Sequence, residues 1–366
     1  MKENYWIVDD WLIFKPDFNE ELIDYYDIIN KYNKIMFSNY NNPLIAIETN
    51  NIWIDKYKSN NVSNKFDTKI NLSNNVNLTH LTFGNKFNQE IDLSNNINLT
   101  HLTFGFYFNK EINLSNNINL THLTFVLYFN QEINLSNNIN LTHLTFGWYF
   151  NQEIDLSNNI NLTHLTFEYD FNQKIDLSNN THLINLTFGN CFNQEIDLSN
   201  NISLTHLTFG KWFNQEIDLS NNINLTHLIF SFWFNQEIDL SNNINLIHLT
   251  FGGCFNQEIF IPLNVKSLTM DSCYNQYIID NLHNNIEELK IYGNKLNLDN
   301  LPNSIKKLCI KYYHKELNNL PNSLEYLELQ YYNFKIKKIP KNLKTVKCIE
   351  EYYYIDDFKD YNVELI

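Results

Sequence analysis

Histidine returns every 21 residues through the middle of the chain, at His80, His101, His122, His143 and His164, then at His206, His227 and His248; His182 is displaced and Asn185 fills its register. Imidazoles about 5 Å apart on neighbouring strands resist simultaneous protonation. The column therefore has the chemistry of a pH-sensitive face or a weak transition-metal site, although no three or four of its members stand out as one chelate. A hydrogen-bonded surface ladder is the plainer expectation. Thr82, Thr103, Thr124, Thr145, Thr166, Thr187 and Thr208 run alongside. Ice binding needs a flat double ladder of threonine, and here histidine holds the partner column, so β-propensity accounts for the threonines. Carboxylates recur too, with Glu90 two residues before Asp92 and the aspartate column continuing at Asp155, Asp176, Asp197, Asp218 and Asp239. Paired carboxylates hydrolyse glycosides, but such a site would interrupt the repeat. The nearest interruption, Glu168 and Asp170 around Tyr169, has no second motif converging on it. No P-loop, G-x-S-x-G, H-E-x-x-H or G-x-G-x-x-G occurs. No catalytic residue, metal or cofactor is expected.

Two residues between Gly84 and Phe87 vary while the rest of the repeat is copied. They read Asn85-Lys86, Phe106-Tyr107, Leu127-Tyr128, Trp148-Tyr149, Tyr169-Asp170, Asn190-Cys191, Lys211-Trp212, Phe232-Trp233 and Gly253-Cys254. Aromatic residues are enriched at binding hot spots. Phe106, Tyr107, Tyr128, Trp148, Tyr149, Tyr169, Trp212, Phe232 and Trp233 are thus the candidate partner-binding strip, on one edge of the sheet; the competing reading is that one of each pair points inward and fills space. A different column is invariant: Asn88, Asn109, Asn130, Asn151, Asn172, Asn193, Asn214, Asn235 and Asn256 always follow the second aromatic. A recurring asparagine suits a structural role, satisfying backbone groups of adjacent turns.

The element that positions these columns is the repeat itself. The phrase LTHLTF ends at Phe83, Phe104, Phe125, Phe146 and Phe167, in diverged form at Phe188, and continues at Phe209, Phe230 and Phe251. Leu81 and Phe83 alternate with His80 and Thr82, the period-2 pattern of a half-buried strand. Phe87, Ile91, Leu93 and Ile97 are expected to complete the inward set. A short second strand is expected around Ile91–Leu93. One repeat alone cannot bury these side chains; stacked repeats can. Weaker copies extend both ways. Met270, Ile291, Ile310, Leu329 and Cys348 take the phenylalanine position toward the C-terminus at steps of 19 or 21, and Phe14, Phe37 and the stretch through Val62 and Phe66 do so toward the N-terminus. The expected fold is mainly β: one right-handed solenoid of about 17 coils with little helix. Its expected parts are an N-terminal cap with diverged repeats (1–70), regular 21-residue repeats (71–260), diverged proline-containing repeats (261–349) and a C-terminal cap (350–366).

Composition narrows the function. Of 366 residues, 67 are asparagine, none is arginine, and the formal net charge is −15. Residues 71–260 hold 4 lysines and 16 acids. An acidic chain without arginine is a poor nucleic-acid binder, and no apolar run approaches the ~18 residues a membrane span needs. The five cysteines, Cys191, Cys254, Cys273, Cys309 and Cys348, follow neither zinc nor disulfide spacing. Sequons such as Asn71, Asn77, Asn98 and Asn113 would carry clashing glycans on stacked coils in a secretory compartment. A reducing, intracellular, cytoplasmic location is therefore expected.

L-x-x-L-x-F followed by F-N-Q, at about 21 residues per repeat, resembles the FNIP-repeat family. That family is leucine-rich-repeat-like and is found mainly in social amoebae and giant DNA viruses. IPLNVKSL, LPNSIKKL, LPNSLEYL and IPKNLKTV are similar to its proline-containing half-repeat. Where the family often has proline after F-N-x, this chain has Glu90, Glu111, Glu132, Glu153, Lys174, Glu195, Glu216, Glu237 and Glu258. Some viral members carry an N-terminal F-box; residues 1–70 here read as worn repeats. The resemblance implies a repeat interaction protein and supplies neither partner nor catalytic residue. The expected function is a monomeric, non-enzymatic scaffold for an unidentified protein partner, of viral or amoebal type, bound neither to nucleic acid nor in a membrane. The alternatives are a self-assembling structural solenoid and a carbohydrate-active β-solenoid enzyme.

Overall fold

A computed structural model describes residues 4–52, 55–271, 275–293, 296–350 and 352–365; Cys273 lies outside them. The chain divides into two compact units, Met1–Phe192 and Asn193–Ile366. Each is a parallel β-stack with one short strand per coil.

Met1–Phe192 begins with an antiparallel hairpin, β1 (Tyr5–Val8) and β2 (Trp11–Phe14). From β2 onward pairing is parallel: to β3 (Lys34–Phe37), then to β4 through β9 (His80–Thr82, His101–Phe104, His122–Phe125, His143–Phe146, His164–Phe167, Asn185–Thr187). The register is the repeat itself: His80 faces His101, Leu81 faces Leu102 and Thr82 faces Thr103. Asn193–Ile366 continues the pattern with β10 through β18 (His206–Phe209, His227–Phe230, His248–Phe251, Ser267–Asp271, Glu288–Tyr292, Lys307–Lys311, Tyr326–Gln330, Thr345–Cys348, Asn362–Leu365), each parallel to the next. Described helix is confined to short pieces, α1 (Tyr26–Ile29), α2 (Pro43–Glu48) and α3 (Gln276–Asp280), plus a few 3-10 turns.

The alternation does what its period requires. Leu and Phe of every HLTF strand are buried and His and Thr take the opposite face, where Thr82 and Thr103 are buried as well. Inside, each strand phenylalanine lies on the second phenylalanine of its own coil, as Phe83 does on Phe87 at 3.9 Å, and on its counterpart one coil on, as at 5.4 Å from Phe104. These rings are nearly parallel, so dispersion accumulates along the whole stack.

A fully buried asparagine column closes the coils, and it is not the one that follows the second aromatic. Asn96, Asn117, Asn138 and Asn159 and, in the second unit, Asn222 and Asn243 have no exposure. Asn138 Nδ2 donates to Leu114 O (3.0 Å) and Asn117 O (2.9 Å), two carbonyls of the preceding coil, while its own backbone turns through a bond to Leu135 O. Asn88 and its equivalents through Asn235 are half-buried at the rim and Asn256 is exposed; Asn109 N donates to Asn88 Oδ1 at 2.9 Å and the ladder repeats coil by coil.

Three expectations change. No strand forms at Ile91–Leu93; Asp92 Oδ1 instead accepts from Ser94 N at 2.9 Å, so the side chain makes a turn in place of a second ladder. Ile97 points outward at 51% exposure, because Asn96 and Leu99 take the interior positions on either side. The coil count is about 16 rather than 17. Phe37 and Phe66 belong to one coil: β3 pairs directly with β4, and Phe66 stacks on Phe37 (4.2 Å) as a second aromatic does. The residues between them are an insertion, and α2 within it lays Ala46 against Ile13, Met36 and Tyr40. Ile13 and Met36 occupy the threonine register of the outward face, so the apolar side chains there are explained by the helix above them.

The tight stacking also explains the glycine after the strand phenylalanine. A Cβ at Gly147 would lie 2.0 Å from Val126 O, and one at Gly189 only 0.8 Å from Glu168 O. Replacing Asn138 by alanine removes the buried inter-coil donor of the Leu114 and Asn117 carbonyls, leaving each only its own-coil bond, and is expected to cost about 1–3 kcal/mol, whereas Asn137, exposed beside it, should tolerate alanine within about 1 kcal/mol. Urea unfolding of the two variants checks both.

Candidate functional site

The outward histidines stack face to face, with ring centroids 4.1–4.2 Å apart from His80 through His164. In the second unit His206, His227 and His248 stack at 4.1 and 4.3 Å. Their tautomer follows from their neighbours. Thr100 Oγ1 donates to Thr79 O at 3.0 Å and lies 2.9 Å from His101 Nδ1. A hydroxyl has one proton, so the neutral imidazole carries its hydrogen on Nδ1 and leaves the lone pair on Nε2. Thr121–His122, Thr142–His143 and Thr163–His164 repeat the arrangement. Burial first, and then the neighbouring imidazoles (with Lys34 near His80 and His101), lower His80, His101, His122 and His143 to about 4. These four imidazoles are thus neutral at pH 7. Parallel rings do not converge on a common point, and among the described residues no group of three His, Cys, Asp or Glu is placed to hold a metal ion.

Two shallow grooves flank the strands of Met1–Phe192. One, of about 800 Å³, is lined by the asparagine column of Asn98 and the threonine column of Thr100. The other, of about 1230 Å³, is lined by Glu111, Glu132 and Glu153 with Gln131 and Gln152. The amides along both are committed to neighbouring coils: Asn98 Nδ2 to Val76 O, Gln131 Nε2 to Asn109 Oδ1. They build the stack rather than await a substrate.

The variable pair lies elsewhere, just after the strand. Tyr107, Tyr128, Trp148, Tyr149 and Tyr169 in the first unit and Trp212, Phe232 and Trp233 in the second are 39–50% exposed, and Phe106 is half-buried. The next residue in each coil, for example Phe150 after Tyr149, is buried. The rings form ladders: Tyr107–Tyr128 at 5.3 Å, Tyr128–Tyr149 at 4.9 Å, Trp148–Tyr169 at 5.7 Å and Trp212–Trp233 at 5.6 Å. Backbone bonds between coils hold the spacing, as where Tyr149 N donates to Leu127 O. Two further members escaped the sequence reading. Tyr312 and Tyr331 stack at 4.7 Å, each 48% exposed, in the left-handed region at φ 57° and 55°. The Tyr-Tyr doublets in IKYY and LQYY were the available signal, since the second tyrosine of each, Tyr313 and Tyr332, takes the buried aromatic position.

Strand, buried asparagine and turn at a fixed period make this a leucine-rich-repeat-like solenoid. Residues 292–332 match the FNIP Repeat family. The solved structure of CroV588, described as a novel circular LRR protein, is similar over 94% of this chain and 67% of that one, at 30% identity and a TM-score of 0.57. This chain therefore belongs to the FNIP-repeat, leucine-rich-repeat-like proteins. The fold is shared with an internalin of Listeria monocytogenes (19% identity, 76% of this chain and 83% of that chain, TM-score 0.55) and an LRR protein of Leptospira interrogans (14%, 82% and 93%, 0.54). No curated protein matches the chain. Among the described residues no helix is long and apolar enough to cross a membrane.

Histidines lowered to about 4 when folded bind fewer protons than the unfolded chain, whose imidazoles titrate near 6.5. Stability should therefore fall as pH drops from about 6.5 toward 4. Urea midpoints at pH 7 and pH 5 test this; the difference should shrink when His101 and His122 are both glutamine. Separately, Tyr149→Ala should change stability by less than about 1 kcal/mol and Phe150→Ala lower it by about 3–5 kcal/mol, as read by the same unfolding curves.

Proposed function

We propose that this chain is a non-enzymatic scaffold that docks a protein partner on the aromatic strip. The observation that carries the reading is the contrast within one copied repeat: invariant phenylalanines go inside, while the varied residues beside them are large, aromatic and held half in water. Hot spots are built from such side chains. Leucine-rich-repeat-like folds commonly mediate protein–protein interaction, and these repeat families are generally non-catalytic. The histidines stack from coil to coil and bond the threonines just before them, which bond the preceding coil in turn.

A viral or amoebal origin is supported by the FNIP resemblance. A reducing cytoplasm fits the free thiols of Cys191, Cys254, Cys309 and Cys348. It also fits the sequon at Asn98, whose Nδ2 is a rung of the inter-coil ladder and would be lost to a glycan. The scaffold is read as a monomer.

Immobilised wild-type chain and the variants Trp148→Ala/Tyr149→Ala and Trp233→Ala, each shown folded by circular dichroism, can be compared for capture from a cell extract. At least one protein held by wild type should be lost from a strip variant. Identical capture by all three would remove the strip as the docking surface.

A further inference from the structure

The strip of the first unit has two unlike ends. At the N-terminal end the chain supplies its own cation: Lys86 Nζ lies 4.4 Å from the centroid of the Tyr107 ring, ahead of Tyr128 and Tyr149. The second unit does the same, with Lys211 Nζ 5.7 Å from Trp212 and 5.9 Å from Phe232, and with Lys311 Nζ 5.3 Å from Tyr312. Rings of this column thus take an ammonium at three separate places in one molecule, as the negative face of an aromatic ring favours.

At the other end of the first run the arrangement differs. Trp148 and Tyr169 stack at 5.7 Å with 50% and 40% exposure, and no lysine of the chain lies over them among the described residues. Two carboxylates stand there instead. Glu168 interrupts the small-residue column of Gly84, Gly105, Gly147 and Gly189, and Asp170 takes the place that tyrosine holds in the three coils before it. Both are tied to the coil before: Glu168 N donates to Phe146 O (3.0 Å) and Asp170 N to Trp148 O (2.7 Å). Burial raises the pKa of the Glu168 carboxyl and the Trp148 side chain opposes that rise, and the Cys191 thiol lies 3.8 Å from Asp170 Oδ1. Neither carboxylate has an ion-pair partner among the described residues, as Glu111, Glu132 and Glu153 have none. Two exposed rings and two carboxylates without a cation have the make-up that receives an ammonium or guanidinium. The surroundings favour one as well, with 16 acids against 4 lysines over residues 71–260.

We propose that the segment bound on this strip is basic, and that one of its lysine or arginine side chains sits on Trp148 and Tyr169 against the carboxylates of Glu168 and Asp170. This rests on the docking reading above and supplies the partner's chemistry.

Calorimetric titration of the full chain with a tetralysine peptide, and with tetraglutamate as its opposite, tests the inference. Tetralysine should bind saturably, tetraglutamate should not, and Glu168→Gln/Asp170→Asn should weaken tetralysine binding about tenfold or more. A control removing twice the charge away from the strip, Glu90→Gln/Glu111→Gln/Glu132→Gln/Glu153→Gln, should weaken it by less than about threefold. No tetralysine binding, full binding by the double variant, or an equal loss in the control overturns the inference. The two readings separate in the capture experiment. If Trp148→Ala/Tyr149→Ala loses the partner and Glu168→Gln/Asp170→Asn keeps it, the strip stands and its basic occupant falls. If neither variant loses it, both fall.

Discussion

The carbonyls of Leu114 and Asn117 each accept one N–H of their own coil, from Asn117 and Leu120, and a second from the fully buried amide of Asn138 in the next coil. That interaction sets the terms for the rest of the molecule. The Asn138 amide is fully buried and finds its acceptors in the coil before, and a buried amide without partners costs more than a surface contact returns. Each coil therefore has to be stacked, and stacked in one register, since a shift of one residue would move the asparagine away from its carbonyls and turn leucine and phenylalanine to the solvent. The parallel phenylalanine rings follow from that register rather than cause it. So do the histidine stack, the rim ladder through Asn88 and Asn109, and the spacing of the exposed aromatic rings.

Repetition of this kind separates two jobs that globular proteins usually mix. Interior positions are copied because each must match the same position above and below. The pair after the strand matches nothing inside and is free to vary, so the surface carries information that the core does not. The same logic removes the most chemical-looking residues from consideration as a site. The histidines bond threonine hydroxyls through Nδ1 and stack in parallel, and burial keeps His80, His101, His122 and His143 neutral; they are part of the wall.

The period, the inward leucine and phenylalanine, the outward histidine and threonine and the family resemblance were all legible in the residues, because a strand advertises itself by alternation and a solenoid by self-similarity. What escaped had a common cause: asparagine reads as polar. Asn88 and Asn96 look alike in a string of letters, and only three-dimensional closure shows that Asn96 is inside while its neighbour Ile97 is out. The missing strand at Ile91–Leu93 is a similar case, since alternation is present but the Asp92 side chain bonds Ser94 N and turns the chain. The insertion before Phe66 was misread as a further worn coil because its flanks keep the repeat's spelling. Tyr312 and Tyr331 were missed because the surrounding repeat has diverged and its aromatic doublet stands without the usual Phe-Asn-Gln after it.

Near-identical coils raise a problem of address: any coil of the regular stretch could zip onto a neighbour one repeat out of step and find nearly the same contacts. The insertion between β3 and Phe66 supplies a mark that no other coil of the first unit duplicates. Asn39 bonds Asn51 and Asn85 there, Asn64 bonds Asn39, and Asn50 reaches across to Thr103. Asn85, just after β4, and Thr103 of β5 meet those groups. Like the printed zero on a ruler, this knot tells otherwise interchangeable graduations which one comes first, and so keeps each varied ring at its own station along the ladder.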